Sequence, residues 1–484
     1  MRKESDIRDR SSNTVDPMRF LIACYLAPAV LAMAIAARPH SGQAARLNMV
    51  TVFIDDMGWG DFSCFGNQEA KTPNIDQMAA EGIAFEQFYV YSPICSACRV
   101  AISTGTYPQR WNITSFLMTR RANQQRGMAN WLDPRAPMLA RSLQRAGYAT
   151  GHFGKWHMGG QHDVANAPAI REYGFDESLS NFEGMGPKLL PLITRKDGTV
   201  GRIYPWQHLG PFTWMQRSNI TTGFIDAAIP FMEKAKKDGQ PFYLNLWPDD
   251  VHGPFWPSLA RLKQARNSRD LYLAVLEEMD AQLAKLFDHI KNDAEFRENT
   301  IILICSDNGP SRGAGSAGKF KGYKTHLYEG GIRSPLLVWA PGLMPPDRRG
   351  TRNTDSVFSA MDLVPSLLSL AGVTGEEDAK YDGENVAETL LGQSKRSRQQ
   401  PLFFSRPPDR KSFYGFQNLP DLAMRHGKWK LLCDYDGSRR KLYDLSADPG
   451  ESKNLAVSQS NVAANLAEQV IDWHRSMPSN GTGR

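Results

Sequence analysis

The sequence predicts an α/β fold with a mostly parallel central sheet flanked by helices, followed by a smaller C-terminal α+β subdomain. Short apolar runs rich in β-branched residues alternate with segments of helical periodicity, as in parallel strands joined by helices. Polar clusters directly follow several of these runs, at the place where open parallel sheets bind ligands. Beyond residue 400 the pattern changes to short strands and one helix, which indicates a separate antiparallel element.

The predicted elements follow from the period of the apolar residues. Apolar runs of strand length end at polar or glycine-containing segments, and the longer segments carry apolar residues three and four positions apart. The predicted strands are 47–54, 85–90, 148–153, 241–247 and 300–306, and the predicted helices are 72–81, 95–104, 136–147, 220–237, 271–291 and 361–371. The C-terminal strands are 401–405, 422–425, 428–434 and 441–443, before a helix at 461–475. Residues 162–219 are predicted to be irregular.

The 484 residues divide into an N-terminal signal region (1–45), a catalytic domain (46–392) and an antiparallel-sheet subdomain (401–484), with a polar linker at 393–400. The apolar run 19–37 has a basic residue before it and small residues after it, which predicts a secretory signal peptide. We therefore expect a periplasmic or secreted protein with no stable membrane association after cleavage. A membrane anchor is the alternative, and Met18 is an alternative start.

Composition narrows the classes of partner. The net charge of +6 mildly favours anionic substrates. The sequence contains no basic run with interleaved aromatic residues, so it gives no indication of nucleic-acid binding. Removal of the signal would remove Cys24. The remaining cysteines are few and odd in number, so they predict no disulfide framework; they are Cys64, Cys95, Cys98, Cys305 and Cys433.

Carboxylate and amide side chains follow two of the predicted strands. Asp55 and Asp56 come after strand 47–54, and Asp307 and Asn308 after strand 300–306. Oxygen ligands converging from tight loops suit a hard divalent cation. Asp-Asp and Asp-Asn-Gly are also ordinary turn sequences, so either pair alone has low specificity, and the two together point to a metal site.

Cationic side chains follow two other predicted strands. Lys155 and His157 lie on a glycine-flanked loop after strand 148–153, where both can face an oxyanion. His252 lies on the loop after strand 241–247. On local evidence the 154–159 segment is equally open to interpretation as an ordinary loop, and a lone histidine such as His252 is more often structural.

The stretch 92–108 is the centre of the functional prediction. Cys95 stands at the start of a predicted helix, whose dipole stabilises an anion there, and Arg99 lies one turn further on the same face. Cys95 and Cys98 have the spacing of a redox or metal-binding pair, which is the alternative interpretation.

The residues Cys-Ser-Ala-Cys-Arg at 95–99, followed by Thr-Gly-Thr-Tyr-Pro at 104–108, resemble the signature of the formylglycine-dependent sulfatases of the alkaline phosphatase superfamily. That signature reads Cys-x-Pro-Ser-Arg, so Ala97 and Cys98 are departures from it. Further phrases resemble the family: Thr-Pro-Asn-Ile-Asp at 72–76, Gly-Lys-Trp-His at 154–157, the run 318–335, and the C-terminal runs 425–431 and 442–449.

The resemblance implies a set of cofactors and partners. Asp55, Asp56, Asp307 and Asn308, with an oxygen of mature Cys95, would hold one Ca²⁺, with Mg²⁺ as the alternative. Cys95, and not Cys98, would be oxidised to formylglycine (3-oxoalanine) by a transiently bound formylglycine-generating maturase. The substrate would be a sulfate monoester, and a sulfated carbohydrate is our expectation.

The resemblance also implies residue roles. One hydroxyl of the formylglycine gem-diol attacks sulfur while Lys155 and Lys324 neutralise the sulfuryl oxygens. His252 protonates the departing alcohol, His157 removes the proton of the remaining hydroxyl so that sulfate leaves, and Arg99 orients the diol. Lys324 takes its role by alignment to the Glu-Gly-Gly-Ile-Arg phrase, whereas Lys319 and Lys321 are predicted to form a solvated basic loop.

Two other functions stay open at this point. The same cage would bind phosphoryl oxygens, which allows a phosphoester or phosphonate hydrolase. A catalytically silent glycan-binding protein is the second alternative function, with Cys95 unconverted because Ala97 and Cys98 weaken recognition by the maturase.

The aromatic residues of the irregular insert would equally form the walls of a substrate pocket or part of a local core; they are Tyr204, Trp206, His208, Phe212 and Trp214.

Overall fold

The computed structural model describes residues 46–160, 163–202, 210–406 and 418–478. The predicted signal region lies outside these residues. The strands are β1 (Asn48–Ile54), β2 (Ile83–Tyr89), β3 (Ala149–Gly154), β4 (Glu177–Leu179), β5 (Lys188–Thr194), β6 (Val200–Arg202), β7 (Phe212–Gln216), β8 (Phe242–Trp247), β9 (Thr300–Ser306), β10 (Arg333–Trp339), β11 (Thr351–Asn353), β12 (Phe358–Ser359), β13 (Leu402–Ser405), β14 (Leu422–His426), β15 (Trp429–Cys433) and β16 (Lys441–Asp444).

The helices occur between these strands and after the last of them. They are α1 (Pro73–Glu81), α2 (Cys95–Thr104), α3 (Arg120–Gln125), α4 (Leu139–Arg145), α5 (Ile220–Lys237), α6 (Leu259–Gln264), α7 (Ser268–Asn292), α8 (Ala294–Asn299), α9 (Glu329–Ile332), α10 (Ala360–Ala371), α11 (Ala387–Leu390) and α12 (Ser460–Ser476). Among the described residues, no helix combines the length and the apolarity needed to cross a bilayer.

The central sheet confirms the predicted mostly parallel α/β fold. Its strand order is β11-β2-β10-β9-β1-β8-β3-β4, and β12 also pairs with β2. Only β10 runs antiparallel to its neighbours, β2 and β9, and the other pairs of this sheet are parallel. The carboxyl ends of β1, β2, β3, β8 and β9 therefore lie along one edge of the sheet, as do the residues just before β10.

Apolar residues fill both faces of the sheet. Along β1, Met49 and Phe53 belong to one core cluster, which includes residues of α2, α4 and α10, whereas Val50 and Val52 belong to a second cluster, which includes residues of α5 and α7. This alternation follows from the two-residue period of a strand. Burial on both faces explains why β1 and β9 are continuous apolar runs.

Strand β10 was not anticipated from the sequence. It contains Pro335, which has no N–H to donate to a ladder and argues against a central strand. The structure accommodates this proline by a shift in register against β2 between Ser334 and Leu336. The strand is nevertheless wholly buried between β2 and β9.

The prediction that residues 162–219 are irregular is wrong in part. Strand β5 pairs with β6 antiparallel and with β7 parallel, which makes a separate three-stranded sheet. Two of the aromatic residues proposed as walls, Phe212 and Trp214, lie on β7, and Phe212 is 42% exposed. The other three, Tyr204, Trp206 and His208, lie outside the described residues.

The C-terminal sheet confirms the predicted short antiparallel strands. Its order is β13-β14-β15-β16, with every pair antiparallel. Helix α12 packs against it through Ala463, Leu466 and Val470. The same core cluster includes Tyr89 at the end of β2 and Ile332 just before β10, so this sheet packs directly against the central part of the protein.

Candidate active site

The acidic residues predicted as metal ligands lie together at the edge where β1 and β9 end. These strands pair in register up to Ile54 and Ser306, so the residues that follow them are neighbours. The main-chain N–H of Asp56 donates to Asp307 Oδ1 at 3.0 Å, and Asn308 Nδ2 donates to Asp56 Oδ1 at 2.8 Å. All four predicted side chains are buried; they are Asp55, Asp56, Asp307 and Asn308.

Cys95 lies beside these carboxylates. Strand β2 ends at the same edge of the sheet, and α2 begins at Cys95 itself, as predicted. The Sγ atom of Cys95 and one carboxylate oxygen each of Asp55 and Asp307 lie within 4.8 Å of one another. Helix α2 ends at Gly105, whose φ of 66° is the left-handed conformation that glycine adopts without a steric penalty.

Cys98 is engaged by the main chain of the preceding loop. Its Sγ donates to the main-chain carbonyl of Ser92 at 2.7 Å, and both Cys95 and Cys98 are free thiols. Within the described residues, the group of acidic and sulfur ligands with metal-binding spacing includes Cys95 but not Cys98. The structure therefore favours the Cys95 interpretation over a redox or metal pair.

Arg99 connects three parts of the site. Its Nη1 donates to the main-chain carbonyl of Lys155 at 2.8 Å, and its Nη2 lies 3.3 Å from Asp55 Oδ1 and 3.4 Å from Asp307 Oδ2. The guanidinium is fully buried and lies over two aromatic rings. A planar, permanently charged group with several donors fits this position, because it fixes two carboxylates and a neighbouring loop at once.

The two predicted lysines pair with different carboxylates of the site. Lys155 Nζ forms an ion pair with Asp55, and Lys324 Nζ lies 2.5 Å from Asp56 Oδ1. Lys155 follows Gly154, whose φ is 129° and where a Cβ atom would come 2.2 Å from the carbonyl oxygen of Trp247. This position needs glycine so that the loop can turn towards the site. Lys324 reaches the same edge because its loop precedes the antiparallel strand β10.

The two predicted histidines occupy different environments. His252 Nε2 lies 3.7 Å from Asp56 Oδ2, and the His252 side chain is 34% exposed. His157 is nearly buried, and its Nε2 lies 3.6 Å from Oε1 of Glu183. Burial lowers the pKa of His157 to about 3, and partial burial together with Lys155 lowers the pKa of His252 to about 4.

The electrostatics of the carboxylates match a cation site. Burial, and then the neighbouring Asp55 carboxylate, raise the pKa of Asp307 well above its usual range. Burial also opposes the charge on Asp55, but Lys155, His252 and Arg99 together hold the pKa of Asp55 well below its usual range. Three buried carboxylates this close repel one another, so a divalent cation between them would stabilise their charged forms.

The donor set is suited to calcium. The Oδ1 atom of Asn308 is buried and has no hydrogen-bond partner, and it belongs to the same cluster as the three carboxylates. Carboxylate and amide oxygens are the ligands of hard cations, whereas zinc prefers nitrogen and sulfur. The residues present therefore fit a calcium ion.

Sequence reasoning missed several polar residues around this centre. Glu183 contacts His157, Ser311 Oγ donates to Asp56 Oδ2 at 3.2 Å, and Asp249 pairs with Arg217 at 2.5 Å beside the His252 loop. Glu183 and Arg217 lie in the insert predicted to be irregular, where no period or motif marks a functional residue. For Ser311 and Asp249, only their closeness in sequence to Asn308 and His252 could have served as a signal.

The lysines assigned to a solvated loop do lie on the surface. Lys319 and Lys321 are exposed and lie over aromatic rings, and Lys321 Nζ also donates to the main-chain carbonyl of Glu451 at 3.2 Å.

The structure brings together the ten predicted site residues; they are Asp55, Asp56, Cys95, Arg99, Lys155, His157, His252, Asp307, Asn308 and Lys324.

Comparison with known proteins agrees with this geometry. The family model described as Sulfatase matches residues 47–373, and the model described as N-sulphoglucosamine sulphohydrolase, C-terminal, matches residues 317–476. The chain is 32% identical over 379 residues to the N-acetylgalactosamine-6-sulfatase of Homo sapiens, covering 76% of this chain and 69% of that protein. It is 29% identical over 453 residues to arylsulfatase A of Homo sapiens, covering 84% and 83% of the two chains.

A solved structure extends the similarity to nearly the whole fold. Ps i-CgsB, in complex with k-i-k-neocarrahexaose, superposes with a TM-score of 0.75 at 25% sequence identity. The match covers 90% of this chain and 94% of that chain.

Proposed function

The chain belongs to the sulfatase family and is a sulfuric ester hydrolase, and from this premise we propose that it removes sulfate from a sulfated carbohydrate with a formylglycine made from Cys95 at a calcium site. The observation that carries the proposal is that the Sγ atom of Cys95 and one carboxylate oxygen each of Asp55 and Asp307 lie within 4.8 Å of one another. The cationic groups of Lys155 and Lys324 lie against the same carboxylates.

The proposed cofactors have defined places in the chain. Asp55, Asp56, Asp307 and Asn308 would hold the Ca²⁺ ion, and Cys95 would be converted by a formylglycine-generating maturase. Once hydrated to the gem-diol, the aldehyde derived from Cys95 would supply a hydroxyl nucleophile for sulfur, and the ion would favour its deprotonated form. Helix α2 begins at Cys95, so its positive dipole end would stabilise negative charge at this residue.

The cationic residues bind and orient the sulfate group. Lys155 and Lys324 are placed to neutralise the charge that grows on the sulfuryl oxygens as the ester bond breaks. Arg99 is fully buried, so its contribution is to fix the orientation of Asp55, Asp307 and the Lys155 loop. Preorganised charges of this kind need no rearrangement during the reaction.

The two histidines divide the proton transfers. His252 is the more exposed, which suits a group that donates a proton to the departing alcohol oxygen at the mouth of the site. A bound sulfate ester is an anion, and its charge favours the protonated imidazole of His252. His157 is buried and neutral, which suits a base that takes a proton in the later release of sulfate.

The substrate class rests on the relatives. The curated protein at 32% identity is named for the 6-sulfate of N-acetylgalactosamine, and the superposed structure holds an oligosaccharide. The net charge of +6 favours approach of an anionic glycan. The apolar run 19–37 and the small residues after it support export to the periplasm or the medium, where such glycans occur.

The direct test compares ester classes with one preparation. We expect release of inorganic sulfate from nitrophenyl sulfate and from a subset of a panel of sulfated sugars, and loss of this release in Cys95→Ala. The matched nitrophenyl phosphate and phosphonate esters should react far more slowly. Faster turnover of a phosphorus ester than of any sulfate ester would contradict the proposal, and so would glycan binding without turnover by protein with modified Cys95.

A further inference from the structure

Glu183 is a buried acid in contact with one of the proposed catalytic histidines. Its Oε1 atom lies 3.6 Å from Nε2 of His157, slightly beyond hydrogen-bond length, and both side chains are almost wholly buried. Neither ring nitrogen of His157 has a hydrogen-bond partner, and neither has Oε1 of Glu183. The other carboxylate oxygen, Oε2, accepts from the main-chain N–H of Gly159 at 3.1 Å.

The backbone on both sides holds this contact in place. His157 and Glu183 both have positive φ values, 54° and 60°, which non-glycine residues keep only where their surroundings impose them. The two segments are joined by main-chain hydrogen bonds, Trp156 N–H to Phe182 at 3.2 Å and Gly184 N–H to Gly159 at 2.9 Å. A third anchor is the buried Lys188, whose Nζ donates to the carbonyl of Glu183 at 3.1 Å.

The chemistry of the two groups decides where the proton of the imidazole lies. A neutral imidazole has one N–H donor and one acceptor nitrogen, whereas a carboxylate only accepts. The ring nitrogen 3.6 Å from Oε1 is Nε2, so a hydrogen bond formed between these two atoms would select the tautomer with the proton on Nε2. The second nitrogen, Nδ1, is left as the one that can take a proton.

We propose that Glu183 is a positioning residue, which holds the imidazole of His157 in the Nε2–H tautomer and so keeps Nδ1 available as the base. This inference rests on the proposed function, in which His157 takes a proton during sulfate release. Glu183 itself needs no contact with the substrate. It acts through the orientation and tautomer of His157, as buried acids beside catalytic imidazoles do in general.

The variant Glu183→Gln tests the tautomer because of the Gly159 contact. The main-chain N–H of Gly159 requires an oxygen acceptor at the position of Oε2. In the glutamine variant the side-chain amide oxygen therefore takes this position, and the side-chain NH₂ faces His157. Nε2 must then accept, and the proton moves to Nδ1. Glu183→Asp keeps a carboxylate and should retain the Nε2–H tautomer, while Asp280→Asn removes a buried acid whose carboxylate accepts hydrogen bonds from the start of α1.

The first measurement reads the tautomer directly and does not depend on turnover. Nitrogen chemical shifts of ¹⁵N-histidine-labelled protein distinguish the two tautomers, and the spectrum of His157→Ala identifies the His157 signals. All variants carry Cys95→Ala, so that conversion of Cys95 does not affect the comparison. We expect Nε2–H in the parent and in the Asp280→Asn control, and Nδ1–H in Glu183→Gln. The same tautomer in the parent and in Glu183→Gln would overturn the proposal.

The second measurement is the rate on two sulfate esters. Glu183→Gln, with Cys95 present, should lower kcat on both nitrophenyl sulfate and a sulfated sugar by up to the ~10²–10⁴-fold typical of a lost general base, with kcat/KM little changed because the affected step follows departure of the alcohol. Glu183→Asp should recover part of the loss. Unchanged kcat in Glu183→Gln would contradict the role. A parent protein that hydrolyses no sulfate ester would instead contradict the proposed function, and the nitrogen shifts would still decide the role of Glu183.

Discussion

Replacement of His252 by alanine should slow the enzyme selectively, according to the alcohol that leaves. A general acid matters in proportion to the negative charge left on the departing oxygen. The alkoxide of a sugar is a poor leaving group, whereas nitrophenolate is already a stable anion. We therefore expect His252→Ala to lose much more activity on a sulfated sugar than on nitrophenyl sulfate.

The size of the effect follows from the position of His252 in the structure. General acids typically contribute ~10²–10⁴-fold to a rate. The His252 side chain is 34% exposed, so water can enter the space left by the imidazole and act as a weaker proton donor. We expect the lower end of the range on the sugar, about 10²-fold or about 2.7 kcal/mol in kcat/KM. On nitrophenyl sulfate the loss should stay within about threefold.

The assay measures kcat and kcat/KM for both substrates in the parent, in His252→Ala and in two further variants. His426→Ala removes an exposed histidine at the end of β14, outside the site, and should change neither rate. His157→Ala should lower kcat on both substrates and leave kcat/KM little changed, because it acts on a step that follows departure of the alcohol. Equal losses of His252→Ala on the two substrates, under conditions where chemistry limits the rate, would refute the leaving-group role.

The remaining predictions concern the metal and the C-terminal sheet. Chelation should abolish activity, and Ca²⁺ should restore it whereas zinc should not. The reason is that the proposed ligands offer only oxygen atoms; they are Asp55, Asp56, Asp307 and Asn308. Stoichiometric zinc by elemental analysis, with activity restored by zinc alone, would overturn the ligand assignment. Lys430→Met should lower the free energy of unfolding by about 3–5 kcal/mol, because it removes the fully buried cation that pairs with Glu329 at 2.9 Å and Glu451 at 3.0 Å. The matched change Lys428→Met breaks a pair whose lysine side chain is 53% exposed and should cost no more than about 1 kcal/mol. Denaturant unfolding of both variants measures the difference, and equal losses would contradict the importance of the buried pair.

The clustering of the proposed metal ligands could be predicted from sequence because one physical rule brings the ends of parallel strands together. β1 and β9 are buried on both faces and therefore read as continuous apolar runs, and the residues that end parallel strands meet at one edge. Cys95 and Arg99 were predicted to face one site from their spacing of one helical turn. That Arg99 would also bind a carbonyl of the Lys155 loop was not visible, because this contact joins residues 56 positions apart.

Other parts of the site were not accessible to this reasoning. Lys324 was assigned by resemblance alone. Its loop lies at the same edge of the sheet as the other site residues because the strand that follows it, β10, is antiparallel. This strand was not predicted from the sequence because it contains Pro335. Glu183 depends on two backbone segments with unusual φ values meeting in space. The periodicity of the sequence does not predict that these two segments lie side by side, so the contact between Glu183 and His157 could be identified only from the three-dimensional structure.

The most direct test of the account is the chemical state of Cys95 in active protein. Peptide mass spectrometry of a preparation with full sulfatase activity should show that Cys95 has lost its thiol, with the mass of formylglycine in its place. Cys98, whose Sγ donates to the main-chain carbonyl of Ser92, should keep its thiol in the same peptide. An intact thiol at Cys95 throughout a fully active preparation would contradict the proposed mechanism.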